Sequence, residues 1–100
     1  MNKYLLFRLP NKKINCEEKE LIDVVCSESI DEVKNKLNRA IIDDLSFMNE
    51  SKGCNLRSTI GICRSFNNCV EYDAFGQIIP SYSKTITVNY VIEEKCIKKQ

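Results

Sequence analysis

The side chains best suited to chemistry in this chain are its six cysteines, Cys16, Cys26, Cys54, Cys63, Cys69 and Cys96, and no histidine accompanies them. Thiols serve as metal ligands, disulfide partners or nucleophiles, and each use leaves a spacing or a companion residue in the sequence. No two cysteines are separated by only two residues, so the paired-thiol knuckle that anchors most zinc sites is absent. A four-thiolate site from Cys54, Cys63, Cys69 and Cys96 would need no histidine. Strand alternation around them, however, sends Cys63 and Cys69 to opposite faces. A nucleophilic thiol needs a base or a positive environment, and the nearest candidates are the Ser29 helix start after Cys26 and Arg64 after Cys63. Reduced thiols that mostly fill space are the reading these spacings favour, with a disulfide framework and a structural metal as the alternatives.

The carboxylates give no acid/base pair. Glu17-Glu18, Asp31-Glu32, Asp43-Asp44 and Glu93-Glu94 are adjacent in sequence, which places the members of each pair on different faces of a helix or strand. With only Gly53, Gly61 and Gly76 there is no glycine-rich phosphate loop. Together these point away from an enzyme and from any cofactor or metal.

At 100 residues, 43% hydrophobic and 29% charged, the composition is that of one globular domain. A formal charge of +1 lacks the basic excess that marks many nucleic-acid binders. Tyr4-Leu5-Leu6-Phe7 is broken by Arg8 and is too short for an export signal, and no run is long enough to span a membrane. A cytoplasmic, reducing location follows as the expectation.

The elements that must position these residues are read from periodicity. Lys3 to Leu9 alternates, with Tyr4 and Leu6 on one side and Leu5, Phe7 and Leu9 on the other, before the turn at Pro10-Asn11. Leu21 to Cys26 reads as a strand, although Asn15 with Glu18 has the spacing to cap a short helix. Ser29 and Glu32 have capping-box spacing, and Ile30, Val33, Leu37, Ile41, Leu45 and Met48 then recur at helical steps, predicting an amphipathic helix over about 29–49. Thr59 to Phe66 and Cys69 to Phe75 flank Asn67-Asn68, a pair suited to a tight hairpin. In that register Phe66 faces Cys69, and Arg64 faces Glu71 as an ion pair. Lys84 to Glu94 is the clearest strand, with Ile86, Val88, Tyr90 and Ile92 on one face. The predicted fold is α+β, an antiparallel sheet of about four strands packed by one long amphipathic helix.

Tyr72-Asp73-Ala74-Phe75-Gly76 resembles the Tyr-Asp-x-x-Gly core of the YD repeats of large bacterial toxin shells. The resemblance covers five residues and occurs once. It implies a turn near Asp73 to Gly76, with the glycine in a left-handed conformation.

Binding remains. Arg57, Arg64, Phe66, Tyr72 and Phe75 interleave cationic and aromatic side chains across the predicted hairpin. Such a mixture makes a protein hot spot or a base-stacking surface. Taken singly, Phe66 and Phe75 are better read as core, Tyr72 as amphipathic filler and the arginines as solvated. The function expected is a small intracellular protein-binding module, a class that includes phage-encoded inhibitors of bacterial defence systems such as anti-CRISPR proteins. A nucleic-acid or nucleotide binder using the Arg/aromatic face, and a secreted disulfide-stapled toxin or effector domain, are the alternatives. The expected partner is another protein, with nucleic acid the second choice and no membrane; a homodimer is compatible with the sequence.

Overall fold

A computed structural model describes residues 1–48, 54–66 and 69–97. The expected turn at Asn67-Asn68 and the helix end at 49–53 lie outside the described residues. The elements in chain order are β1 (Asn2–Arg8), a short 3-10 turn (Lys12–Ile14), β2 (Glu20–Ser27), α1 (Ile30–Met48), β3 (Asn55–Phe66), β4 (Cys69–Ile79) and β5 (Ile86–Cys96). The strands form one sheet in the order β2-β1-β5-β4-β3, every neighbouring pair antiparallel. The sheet therefore has five strands rather than about four, because Glu20–Ser27 pairs with β1 as a strand and not as the alternative short helix.

The helix stripe read from the sequence is the one that is buried. Val33, Leu37, Ile41 and Leu45 pack on Tyr4, Leu6, Ala74, Ile78, Val88, Tyr90 and Ile92, so α1 covers one face of the sheet. Each fully buried aliphatic side chain contributes roughly 1.5–3 kcal/mol, which makes this layer the main stabilising term. Around the helix start, Ser27 donates its hydroxyl to the Glu32 carboxylate at 2.5 Å.

The turn implied at Asp73 to Gly76 is absent, because β4 runs through those residues without interruption. Gly76 serves a different need. A Cβ at this position would lie 2.6 Å from Leu45 Cδ1 and 3.0 Å from Ile41 Cγ2, so the missing side chain lets α1 sit close on the sheet.

Two bulges bend the edges of the sheet. Leu6 pairs with Asp23 while Phe7 pairs with Leu21, leaving Ile22 as the extra residue of β2. Ile60 pairs with Ala74 while Cys63 pairs with Tyr72, so Gly61 and Ile62 together oppose Asp73. Beyond that second bulge the register is the one expected, with Arg64 opposite Glu71 and Phe66 opposite Cys69.

Candidate interaction surface

Alternation puts the residues between those of the core on the face that α1 leaves open. In β5 these are Thr87, Asn89, Val91 and Glu93, and in β1 they are Lys3, Leu5 and Phe7. In β4 they are Glu71, Asp73, Phe75 and Gln77. The bulge in β3 has a consequence that numbering alone conceals. Arg57 is odd-numbered and Arg64 even-numbered, yet the extra residue shifts the alternation, and both face this open side, opposite Gln77 and Glu71.

Arg57, Arg64 and Phe75 therefore lie on one face. Phe75 is 36% exposed, pairs across to Thr59 and Asn89, and lies between the two arginines along the hairpin. Arg64 was expected to bond Glu71, its direct opposite. Instead its Nη2 reaches diagonally to Asp73 Oδ2 at 2.7 Å, with both side chains largely exposed. Arg57 has no ion pair among the described residues. Tyr72 does not belong to this group. It lies opposite Cys63 and Ile92 on the helix-facing side and packs against the core. Burial, followed by the charge of Glu94, pushes its phenol up to about 12. Phe66 is the backbone partner of Cys69 at the end of β3.

The same face holds residues that the Arg/aromatic reading missed. Lys19 places its ammonium 4.2 Å from the centre of the Phe7 ring and 3.4 Å from Glu93 Oε2, which makes a cation–aromatic contact on the far side of the sheet. Phe7 in turn pairs with Val91, which pairs with Asp73, so one row joins both halves of the surface. The alternation of Leu5, Phe7 and Leu9 was the available signal for this apolar side.

The helix-facing side carries a polar network of a different kind. Arg8, whose side chain is only 10% exposed, donates from Nη1 to Asp44 Oδ1 at 2.7 Å and from Nη2 to Glu20 Oε2 at 2.5 Å. Tyr90 donates its hydroxyl to the other Asp44 oxygen at 2.6 Å. Burial works against the Arg8 charge, but Cys16, Asp44 and Glu20 more than offset it, and the guanidinium stays above its ordinary pKa. Burial, reinforced by the bond to Asp44, likewise raises the Tyr90 phenol. At the other end Tyr4 donates to Glu94 at 2.6 Å, and burial with that bond raises its pKa too. The adjacent carboxylates are thus divided between faces as their sequence positions require. Asp44 is held inside while Asp43 is exposed, and Glu94 turns to Tyr4 while Glu93 meets Lys19.

The cysteines are more exposed than a space-filling role allows. Cys16 is buried and Cys54 half-buried, but Cys26, Cys63, Cys69 and Cys96 are exposed. Cys26 pairs with Lys3 and so lies on the open face. The β3–β4 register places Cys63 beside Tyr72 and Cys69 beside Phe66, hence on opposite faces as alternation requires. Among the described residues no group of three or more His, Cys, Asp or Glu side chains is arranged to hold a metal ion. A cleft of about 460 Å³ runs beside the 3-10 turn, lined by Pro10, Lys12, Cys16 and Glu17 among others. No helix among the described residues is long and apolar enough to cross a membrane.

Comparison of the chain with protein-family models, with curated proteins and with solved structures gives no match.

Proposed function

We propose that this chain is a small, non-enzymatic protein-binding module whose contact surface is the open sheet face around Phe75, Arg57 and Arg64. The observation that carries the reading is that these three side chains, on two strands, lie along one face that α1 leaves uncovered. An aromatic flanked by arginines is the composition of a protein hot spot. Mixed charge favours a protein over a nucleic acid. Asp73 neutralises Arg64, and Glu71 and Glu93 lie directly opposite one another on the same face, which repels a phosphate backbone.

The reading is tested by capture from a bacterial lysate at physiological salt after nuclease treatment. The wild-type chain is compared with a variant carrying Arg57→Ala, Arg64→Ala and Phe75→Ala. A stoichiometric protein retained by the wild type and lost by the variant is the expected result. Absence of any such protein, or equal retention by both chains, overturns the reading. So does binding that depends on nucleic acid and is abolished by nuclease.

A further inference from the structure

The sheet ends on one side at β3, whose outer backbone groups pair with no other strand of the sheet. From this edge we infer that two copies of the chain pair β3 with β3, antiparallel, about a twofold axis near Cys63. The inference concerns self-association and does not rest on the protein-binding reading above.

The two edges of the sheet are not alike. On β2 the Asp23 carboxylate accepts the backbone N–H of Val24 at 2.9 Å, so one donor of that edge is already taken. Asp23 also lies opposite Leu6 on the helix-facing side, and an inward charge resists strand addition. β3 contains no carboxylate and no capped amide of this kind among the described residues. Its two halves differ in turn. In the first half Ser58 donates its hydroxyl to Asn38 Oδ1 at 2.8 Å, so α1 reaches over the strand. From the bulge onward Gly61 to Ser65 are all exposed, and Ile62 is 76% exposed. Cys63 is the midpoint of that stretch.

Symmetry and charge select a second copy as the occupant. A strand paired antiparallel with its own copy makes a closed, isologous contact. The twofold axis is normal to the sheet, so both helices lie on one side and both open faces on the other. With Cys63 opposite its copy, Ser65 meets Ile60, and Arg64 meets the Gly61-Ile62 bulge from outside as Asp73 does from inside. Residues that meet therefore share a face. The arginines do not meet. Counted along β4, Arg57 lies farther from Cys63 than the strand end at Phe66 does on the other side, so it falls outside the ladder. Arg64 brings no net charge, because Asp73 holds it at 2.7 Å. Pairing β3 with β2 of another copy would instead leave a free edge at each end and grow without closing. The Asp23 cap disfavours it. A ladder this short makes a weak dimer that dissociates on dilution, and it presents the surface around Phe75 twice on one face.

Cys63 is the reporter for the test. In a chain with Cys26→Ser, Cys69→Ser and Cys96→Ser, diamide should join two Cys63 thiols in one disulfide, itself taking up their two hydrogens. The control carries Cys63→Ser, Cys69→Ser and Cys96→Ser and keeps the exposed Cys26. Cross-linking through Cys63 should be about tenfold faster, because pairing raises the effective concentration of the two thiols. Ile62→Lys, at an exposed position, sets a second cation against Arg64 of the other copy and should slow it about tenfold. In the reduced wild-type chain, raising the concentration should slow amide hydrogen exchange in Gly61 to Ser65 and leave β2 unchanged. Equal rates through Cys63 and Cys26, indifference to Ile62→Lys, or a monomer mass at every concentration overturns the inference. So does joint protection of β2 and β3 in an assembly that keeps growing, which is the β3–β2 arrangement.

Discussion

Arg8 and Arg64 stand on strands of the same sheet, and each holds an aspartate at 2.7 Å. Distance makes them equivalent; surroundings do not. Arg8 and Asp44 are 10% and 8% exposed and share a network with Tyr90 and Glu20, whereas Arg64 and Asp73 are 64% and 45% exposed. Inside, each charge has been desolvated and depends on its partners, so removing one leaves the other stranded. Outside, water replaces any lost partner, and the pair contributes little to folding. The first arginine is committed to the fold, and the second remains available to exchange its carboxylate for another.

The largest effect that could break this contrast is at Arg8. Arg8→Met should destabilise the protein by about 3–5 kcal/mol in urea unfolding, because Asp44 is left buried without a counter-charge, holding only its bond from Tyr90. Adding Asp44→Leu and Tyr90→Phe should recover much of that loss, since an apolar replacement removes the desolvated charge altogether. If the triple variant is no more stable than Arg8→Met, the network is a net stabiliser and the contrast sharpens.

An intermediate effect is expected with pH. Tyr90 and Tyr72 have phenols raised above the ordinary value of 10.0, Tyr72 to about 12. A raised folded-state pKa means that the neutral phenol is the form the fold holds. That contribution is complete below pH 10 and is lost as pH rises above it. Stability should therefore decline in alkali, and Tyr90→Phe should make the decline shallower. An unchanged pH slope in Tyr90→Phe would remove that phenol from the network. Smallest is Arg64→Ala, which should change folding stability by less than about 1 kcal/mol while weakening partner capture. A loss comparable to that at Arg8 would abolish the distinction between the two arginines.

The helix and the central strands were legible because their burial is periodic. Val33, Leu37, Ile41 and Leu45 repeat at helical spacing, and Val88, Tyr90 and Ile92 repeat at two, and burial follows both patterns. The candidate surface was legible only in part. Arg57, Arg64 and Phe75 share one face, but through a bulge at Gly61-Ile62 that alternation cannot foresee, since it depends on how β3 is paired. Tyr72 fell on the other face for the reason that strict alternation gives, two residues from Ala74 in the core. Gly76 was read as a turn because a glycine after Tyr-Asp allows one. What decides the position is the approach of Leu45, a contact far away in sequence. The exposure of four cysteines escaped for a similar reason, because it depends on pairing: Cys26 and Cys69 fall on the open face, and Cys63 lies beside Tyr72 on the other.

The placement of β1 between β2 and β5 has a further consequence for how the chain acquires its structure. Asn2 pairs with Cys96 and Arg8 with Tyr90, so the first strand cannot complete its ladders until the last one exists. During synthesis β1 and β2 can form a hairpin, but its inner edge stays unsatisfied until β5 emerges. Closing so long a loop is entropically costly and makes folding slow relative to helical domains of equal size. Until β5 arrives, β1 and β4 each present an unpaired edge open to wrong pairing, although both end up as inner strands of the sheet.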